Sequence, residues 1–480
     1  MTAPALLDRL TRALGADAVL TAPDAIAPYL RERRGLYAGA AVAVARPGDT
    51  EGVATTVRLC AEHGAAVVPQ GGNTGLCGGA VAEAGNVILS LERLDRIRRV
   101  DADDFTLTAE AGCTLAAVQQ AAAEVDRLFP LGYAAEAECQ IGGNLATNAG
   151  GMNVLRYGNA RDLVLGLEVV LGDGRVWNGL RRLRKDNSGY DLRDLFIGAE
   201  GTLGIITAAV LKLFPAPRHR ATALVALDDP QAAVALLGQL RGASADAVTT
   251  CELMGRTPLA MAIAHGEGCA EPFDEVHPWY LLVELTSSRV HDDLPGLLGT
   301  ALNDPAAPVR RWRIAANAAE AAALWRLRNQ IPPAQKGAGA SIKNDISVPV
   351  SRVPVLIEQA TAAVAELDPN VRVCAFGHVG DGNIHFNLSQ PEGADPQAFL
   401  AQWETFTRRV HDVALELEGS FAAEHGIGLL KPGEVARLKD PVEQDLMRRL
   451  KAALDPDGRL NPGKVVPACR GPISRPARGA

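Results

Sequence analysis

The chain has 480 residues, is 48% hydrophobic with only 4% aromatics, and carries a formal net charge of -8. That length calls for more than one domain. The acidic balance excludes a nucleic-acid binder held by a basic, phosphate-contacting face.

Residues 1–40 read as helical, with Pro28 breaking one element. Residues 1–15 lack a basic leader followed by an apolar core, so they read as an amphipathic helix rather than a signal segment, and a cytoplasmic location is expected. Strands are predicted at 41–45 and 65–69 around a helix at 50–63, then at 87–90, 97–100 and 106–110, before a helix at 114–123 capped by Thr114. Runs at 163–171 and 175–177 form a hairpin across Gly172-Asp173-Gly174. A strand at 204–214 is closed by Pro215-Ala216-Pro217, the best boundary signal in the chain. Beyond it, strands at 221–227, 247–253, 280–285 and 310–314 alternate with alanine-rich helices, the pattern of an α+β domain on an antiparallel sheet. A hairpin from 371–376 and 383–388 and helices at 399–417 and 442–454 complete it. The last dozen residues, rich in Pro, Arg and Gly, read as a disordered tail. The apolar runs are too short and too interrupted for a membrane-spanning helix. Eight cysteines stand singly with no Cys-x-x-Cys pair, which predicts reduced, packing thiols.

Two glycine-rich segments stand out. Pro69-Gln70-Gly71-Gly72-Asn73-Thr74-Gly75-Leu76-Cys77-Gly78-Gly79 follows an apolar strand, and its small residues let successive N–H groups converge on an anion, with Asn73 and Thr74 adding side-chain donors. It is neither a dinucleotide fingerprint nor a P-loop; alone it is equally a glycine-rich turn. Ile141-Gly142-Gly143-Asn144-Leu145-Ala146-Thr147-Asn148-Ala149-Gly150-Gly151 repeats the character, and Glu200-Gly201-Thr202-Leu203-Gly204 is a third such segment. Together they suit a long ligand with a pyrophosphate in its middle.

Of the nine histidines, His63, His219, His265, His277, His291 and His411 have no partner pattern. His378 and His385 flank the tight turn in Phe376-Gly377-His378-Val379-Gly380-Asp381-Gly382-Asn383-Ile384-His385-Phe386-Asn387, which should bring their imidazoles together. A carboxylate follows in Glu424-His425-Gly426-Ile427-Gly428. Two histidines and one carboxylate are how a catalytic zinc-like ion is held; the alternative is a pair of structural histidines. Glu424 and His425 would face opposite ways in a regular strand, so a shared site needs irregular chain, which Gly426 and Gly428 permit.

The order PQGGNTGLCGG, GGNLATNAGG, YG, DNSGYDLRDLFIGAEGTLGIIT, FGHVGDGNIHFN, EHGIG, NPGK resembles the flavin-dependent two-domain 2-hydroxyacid dehydrogenases of the vanillyl-alcohol-oxidase-type superfamily, and within them most the D-2-hydroxyglutarate dehydrogenases. The resemblance runs from about residue 38 to 467. It implies an α+β, two-domain flavoprotein: a vanillyl-alcohol-oxidase/PCMH-type FAD-binding domain over 1–217 (core 38–217), an α+β cap domain with an antiparallel sheet over 218–420, a helical segment over 421–467 returning to the first domain, and a tail over 468–480. It implies that Pro69, Gln70, Gly71, Gly72, Asn73, Thr74, Gly75 and Gly79 wrap the FAD pyrophosphate. Leu131, Gly132, Gly142, Gly143, Asn144, Thr147, Asn148, Glu200 and Ile206 would contact the rest of the cofactor. Relatives with covalent flavin commonly use a histidine near the first loop; none lies between His63 and His219, so the FAD is expected to be non-covalent.

The same resemblance makes His378, His385 and Glu424 the ligands of a divalent metal, zinc first among candidates, and His425 the general base. Arg328, Lys343 and Asn387 match positions that bind the substrate's carboxylates; Pro332 departs from the family where animal members carry a threonine. The implied activity is oxidation of a D-2-hydroxyacid to the 2-oxoacid, with D-2-hydroxyglutarate foremost and D-lactate or glycolate as alternatives. No nicotinamide fingerprint occurs, so an electron-transfer flavoprotein or a quinone is the expected acceptor, and a homodimer is possible. The rival classes are a flavin-free zinc hydrolase and a flavoprotein that only relays electrons.

Overall fold

Helix Thr50–His63 shows how the first part of the chain builds itself. Asp49 caps it by accepting the Gly52 N–H at 2.8 Å, and Gly64 closes it in the left-handed conformation at φ 72°, a terminus that glycine adopts without a Cβ penalty. Its inner face buries Val53, Val57 and Cys60 in a core shared with Val67, Val87 and Leu89. Strands Ala43–Ala45, Val87–Ser90 and Val67–Gln70 lie side by side in parallel, with Val19–Leu20 antiparallel at one edge. Parallel strands need a crossover connection, and Thr50–His63 supplies the one from Ala43–Ala45 to Val67–Gln70, which flank Val87–Ser90. Residue 70 ends its strand directly into the glycine-rich loop.

The computed structural model describes residues 3–133 and 135–466; the expected tail lies outside them. Two units are present among the described residues: one from those within 3–150, 159–215 and 425–466, the other from 151–158 and 216–424. The first adds an antiparallel sheet in the order Ile97–Asp101, Thr106–Glu110, Ile205–Lys212, Val164–Val170, Val176–Gly179. The predicted hairpin appears in it as Leu167 opposite Gly179 through Val170 opposite Val176.

The second unit is built on one eight-stranded sheet. Arg311–Ile314, His219–Leu227, Trp279–Ser287, Val248–Gly255, Arg372–His378, Asn383–Ser389 and Ser341–Ile342 follow in that order, with Asp345–Ser347 also on Asn383–Ser389. All of these pairings are antiparallel. One face packs Val225, Leu253, Val283, Ala375, Ile384 and Phe386 against helices Pro230–Ala243, Val353–Leu367 and Trp403–Glu416. The other packs Met254, Leu282, Cys374 and Phe376 against helices Arg256–His265, Ala318–Asn329 and Ile331–Gly337.

The structure departs from the sequence reading in four places. Residues 1–40 are not helical throughout: Val19–Leu20 is a strand and the chain past Leu30 runs without a helix to Ala43–Ala45. Pro28 lies inside helix Pro23–Leu30 rather than breaking an element. The second glycine-rich segment opens as a helix, Ile141–Ala146, and Gly142 serves packing there: a Cβ on it would sit 2.7 Å from that of Ala111. The helix expected at 399–417 is two helices, Pro396–Ala401 and Trp403–Glu416, separated at Gln402. The seven described cysteines are free thiols, six of them buried. Among the described residues no helix is long and apolar enough to cross a membrane.

Candidate active site

The hairpin of Arg372–His378 and Asn383–Ser389 turns through four residues, where Gly382 takes φ 84° and lies so close to Val348 that a Cβ would fall 1.9 Å from its carbonyl oxygen. Only glycine suits that point. His378 then stands opposite Asn383, and His385 opposite Phe376. Opposite residues share a face and the side-chain period is two, so both histidines project from one face as diagonal neighbours. Their ring centroids are 5.5 Å apart.

Glu424 reaches the same place from an irregular stretch. Its Oε1 lies 3.5 Å from His385 Nε2 and 4.0 Å from His378 Nε2. Its position is set by its own N–H, which donates to Asp345 Oδ2 at 3.0 Å. Asp345, His385 and Glu424 each offer a ligand atom within 4.8 Å of the others, a group that does not include His378. Two imidazole nitrogens converging on one carboxylate oxygen at these separations fit a divalent cation, which takes such ligands at about 2.0–2.2 Å. His425 follows Glu424 as the first residue of the other unit's last segment, half-buried, with Gly426 at φ 75° and Gly428 at φ 50° beyond it.

The sequence reading missed what lies behind the histidines. Glu252, directly opposite His378 on strand Val248–Gly255, accepts the His378 Nδ1–H at 2.5 Å on one oxygen and the Arg328 Nε–H at 2.6 Å on the other. It is 0% exposed. Behind His385, Asp345 Oδ1 lies 3.7 Å from Nδ1 and accepts the Asn383 side-chain N–H at 2.9 Å. His378 thus has a carboxylate bonded at its far nitrogen, the arrangement that fixes the orientation of a metal-binding histidine, whereas Asp345 stands 3.7 Å from that of His385, beyond hydrogen-bond distance. Burial would raise the Glu252 pKa, but the charges of His378 and Arg328 outweigh it and hold it at about 2. Burial likewise opposes the His378 imidazolium, and the Glu252 carboxylate reverses this, pushing His378 up to about 9. Asp381, in the hairpin turn, is raised to about 6 by burial.

Of the substrate candidates, Arg328 comes from helix Ala318–Asn329 and lies with its guanidinium 5.1 Å from the Phe376 ring centroid. Asn387 sits two residues past His385 on the same face; it accepts the Asn344 N–H at 3.2 Å and donates to Gln335 Oε1 at 3.0 Å. Lys343 is half-buried, two residues before Asp345. Pro332 occupies the first turn of helix Ile331–Gly337, where a missing N–H costs nothing.

The cofactor candidates all lie in the first unit. Gly71 and Gly143 come together, for a Cβ on Gly71 would meet the Gly143 nitrogen at 3.6 Å. Gly72 presses on the Glu138 carbonyl, which a Cβ would approach to 2.0 Å, whereas a Cβ on Gly75 or Gly143 meets nothing within 4 Å. The loop is therefore packed on one side and open on the other. Two buried amide atoms nearby, Gln140 Oε1 and Asn144 Nδ2, make no hydrogen bond to nitrogen or oxygen among the described residues; Asn144 Oδ1 accepts the Tyr133 hydroxyl. Unmet buried valences beside an open backbone fit a polar ligand such as the FAD diphosphate and ring system.

Other candidates in this set hold the frame. Gln70 donates to the Tyr29 and Ala80 carbonyls, Asn73 to that of Arg31, and Thr147 to that of Gly143. Asn148 accepts the Arg161 N–H. Glu200, at φ 49°, accepts the Ile427 and Gly428 N–H groups at 2.7 and 2.9 Å, and burial raises its pKa. Its backbone carbonyl and that of Gly79 accept from Asn461 Nδ2. A Cβ on Gly201 would fall 2.4 Å from the Pro69 ring. Leu131 and Ile206 are buried, and the Leu131 carbonyl accepts from Gln119. Gly132 is buried beside Leu131, and Thr74 is half-buried.

Residues 216–465 match the family described as FAD linked oxidases, C-terminal domain, and residues 41–179 match the FAD binding domain. D-2-hydroxyglutarate dehydrogenase of Xanthomonas citri pv. viticola is 38% identical over 99% of the chain and 100% of its own length. The mitochondrial enzyme of that name from Danio rerio is 36% identical over 95% of the chain and 84% of its own. Among solved structures, p-cresol methylhydroxylase with substrate bound superposes with a TM-score of 0.75 at 19% identity, covering 96% of both chains. The 4-ethylphenol oxidase of Gulosibacter chungangensis gives 0.73 at 18%, covering 97% of both. At such identities these two show a shared fold of the p-cresol methylhydroxylase type.

Proposed function

The chain belongs to the FAD-linked oxidases, and from that premise we propose that it oxidises a D-2-hydroxyacid to the 2-oxoacid, with D-2-hydroxyglutarate as the substrate. The observation that carries this reading is the convergence of His378, His385 and Glu424 on one sheet face, with Arg328 joined to the same group through Glu252. FAD, when bound, supplies the acceptor for the hydride from the substrate's α-carbon. A divalent cation on His378, His385 and Glu424 supplies the Lewis acidity that brings a bound hydroxyl's pKa towards the range of a histidine.

The chain's own residues do the rest. His425 takes the hydroxyl proton at its imidazole. Arg328 offers a bidentate fork and Lys343 a point charge, a pair suited to two carboxylates of one diacid. Asn387 offers the substrate a further polar contact. The donor set also suits manganese, cobalt or iron, with zinc the first choice. Electrons leave the reduced flavin for an electron-transfer flavoprotein or a quinone. The flavin is held without a covalent bond, so acid precipitation should release all the yellow colour into the supernatant.

The decisive measurement is anaerobic bleaching of the flavin band by D- and L-2-hydroxyglutarate, D-lactate, D-malate and glycolate, before and after chelator treatment. Rapid, chelator-sensitive bleaching by D-2-hydroxyglutarate alone is expected. Preference for D-lactate or glycolate would overturn the diacid assignment. No bleaching by any acid in metal-loaded protein would overturn the dehydrogenase reading.

A further inference from the structure

We propose that Glu252 is a positioning residue whose one buried carboxylate sets both a metal-binding imidazole and the substrate-binding guanidinium, so that metal affinity and diacid recognition are linked through it. This rests on the assignments of His378 and Arg328 under Proposed function. The geometry is specific. Glu252 is 0% exposed, sits opposite His378 across two adjacent strands, and uses a different oxygen for each partner: Oε1 for His378 Nδ1 at 2.5 Å, Oε2 for Arg328 Nε at 2.6 Å. Neither donor atom has another protein acceptor among the described residues.

Two consequences follow from that division. A carboxylate at Nδ1 keeps a proton on that nitrogen, so Nε2, which faces Glu424, is the nitrogen that would give up its proton to a cation. A bond to Nε fixes the plane of the Arg328 guanidinium while leaving its two terminal nitrogens for the fork that a substrate carboxylate prefers. Both partners donate and neither can accept in these roles. A glutamine at 252 has the same shape but one acceptor, so one of the two N–H donors must face an NH2 group. The substitution therefore disturbs the imidazole or the guanidinium even where the fold is intact.

The test compares wild type with Glu252→Gln, Glu252→Asp and Arg328→Lys, reading zinc affinity by competition with a chromogenic chelator alongside kcat and KM. Thermal midpoint and flavin content serve as controls. Glu252→Gln is expected to loosen zinc about 10–100-fold, the usual effect of removing an outer partner of a metal-bound histidine, and to raise KM for D-2-hydroxyglutarate. Glu252→Asp should recover part of both. Arg328→Lys, which alters no ligand, should loosen zinc by a smaller factor, because it changes what Glu252 holds. Zinc affinity equal to wild type in Glu252→Gln, or in both Glu252→Asp and Arg328→Lys where the glutamine variant does not fold, overturns the inference alone. If wild type binds no more zinc than His385→Ala, the metal reading itself falls.

Discussion

The two faces of the eight-stranded sheet are both buried, yet they are made of different material. On one, Val225, Leu253, Val283, Ala375, Ile384 and Phe386 are at most 3% exposed and wholly apolar. On the other, Met254, Leu282 and Phe376 share the surface with Glu252, Glu284, His378, His385, Asn387 and Ser389, all buried as well. A buried strand needs polar residues on neither face, and each one there carries a desolvation cost unless it is bonded. The second face meets that condition: Glu284 takes Thr222 and Trp325, Glu252 takes His378 and Arg328, and Asn387 takes Asn344 and Gln335. Burial therefore does not separate core from site here; the chemistry of every second residue does.

Three successive residues on one strand break or sharpen this contrast. Phe386→Ala, on the apolar face, should lower unfolding stability by about 3–5 kcal/mol in urea titrations. His385→Ala, its neighbour on the other face, should leave flavin content and thermal midpoint close to wild type while zinc binding and kcat/KM collapse, the latter by about 100-fold or more. Equal destabilisation by the two would show the faces to be equivalent. Asn387→Ala leaves the Asn344 N–H and the Gln335 oxygen without a partner, at about 1–3 kcal/mol, and should also raise KM for the diacid.

A smaller, pH-dependent difference should separate the faces further. The Glu252 carboxyl is held at about 2 against an ordinary 4.5. A carboxylate whose folded pKa is depressed stabilises fully above its unfolded value, and that stabilisation is lost as pH falls through the window between the two. Acid titration of wild type should therefore show a stability loss between about pH 4.5 and 2 that Glu252→Gln lacks and Phe386→Ala retains. Identical acid slopes in wild type and Glu252→Gln would remove this contribution.

Local signals were legible in the sequence. Helix Thr50–His63, the Thr114 cap on Leu115–Ala123, and strand Val87–Ser90 stand where apolar periodicity and cap chemistry put them. The histidine hairpin was legible because both imidazoles and the turn between them lie within a dozen residues. The family and fold class were legible in the order of the motifs. Glu252 was not, because 126 residues separate it from His378 and nothing local marks a glutamate in an apolar strand as paired. Asp345 was hidden likewise, since its relation to His385 is a strand register. Gly142 shows a further limit: its closeness to Ala111, distant in sequence, is a packing requirement that composition alone does not reveal.

The glycine-rich loop at 69–79 is held in part by residues made almost four hundred positions later. Val67 donates to the Arg459 carbonyl, and Asn461 binds the Gly79 and Glu200 carbonyls. During synthesis the nucleotide-binding unit must wait, with part of its core uncovered, while some two hundred residues of the other unit are added. At about 5–20 residues per second that delay is on the order of 10–40 s. The unit that carries the histidines, whose last residue is Glu424, can fold first. Maturation of this protein thus runs against its numbering, and chaperone dependence should fall on its beginning rather than its middle.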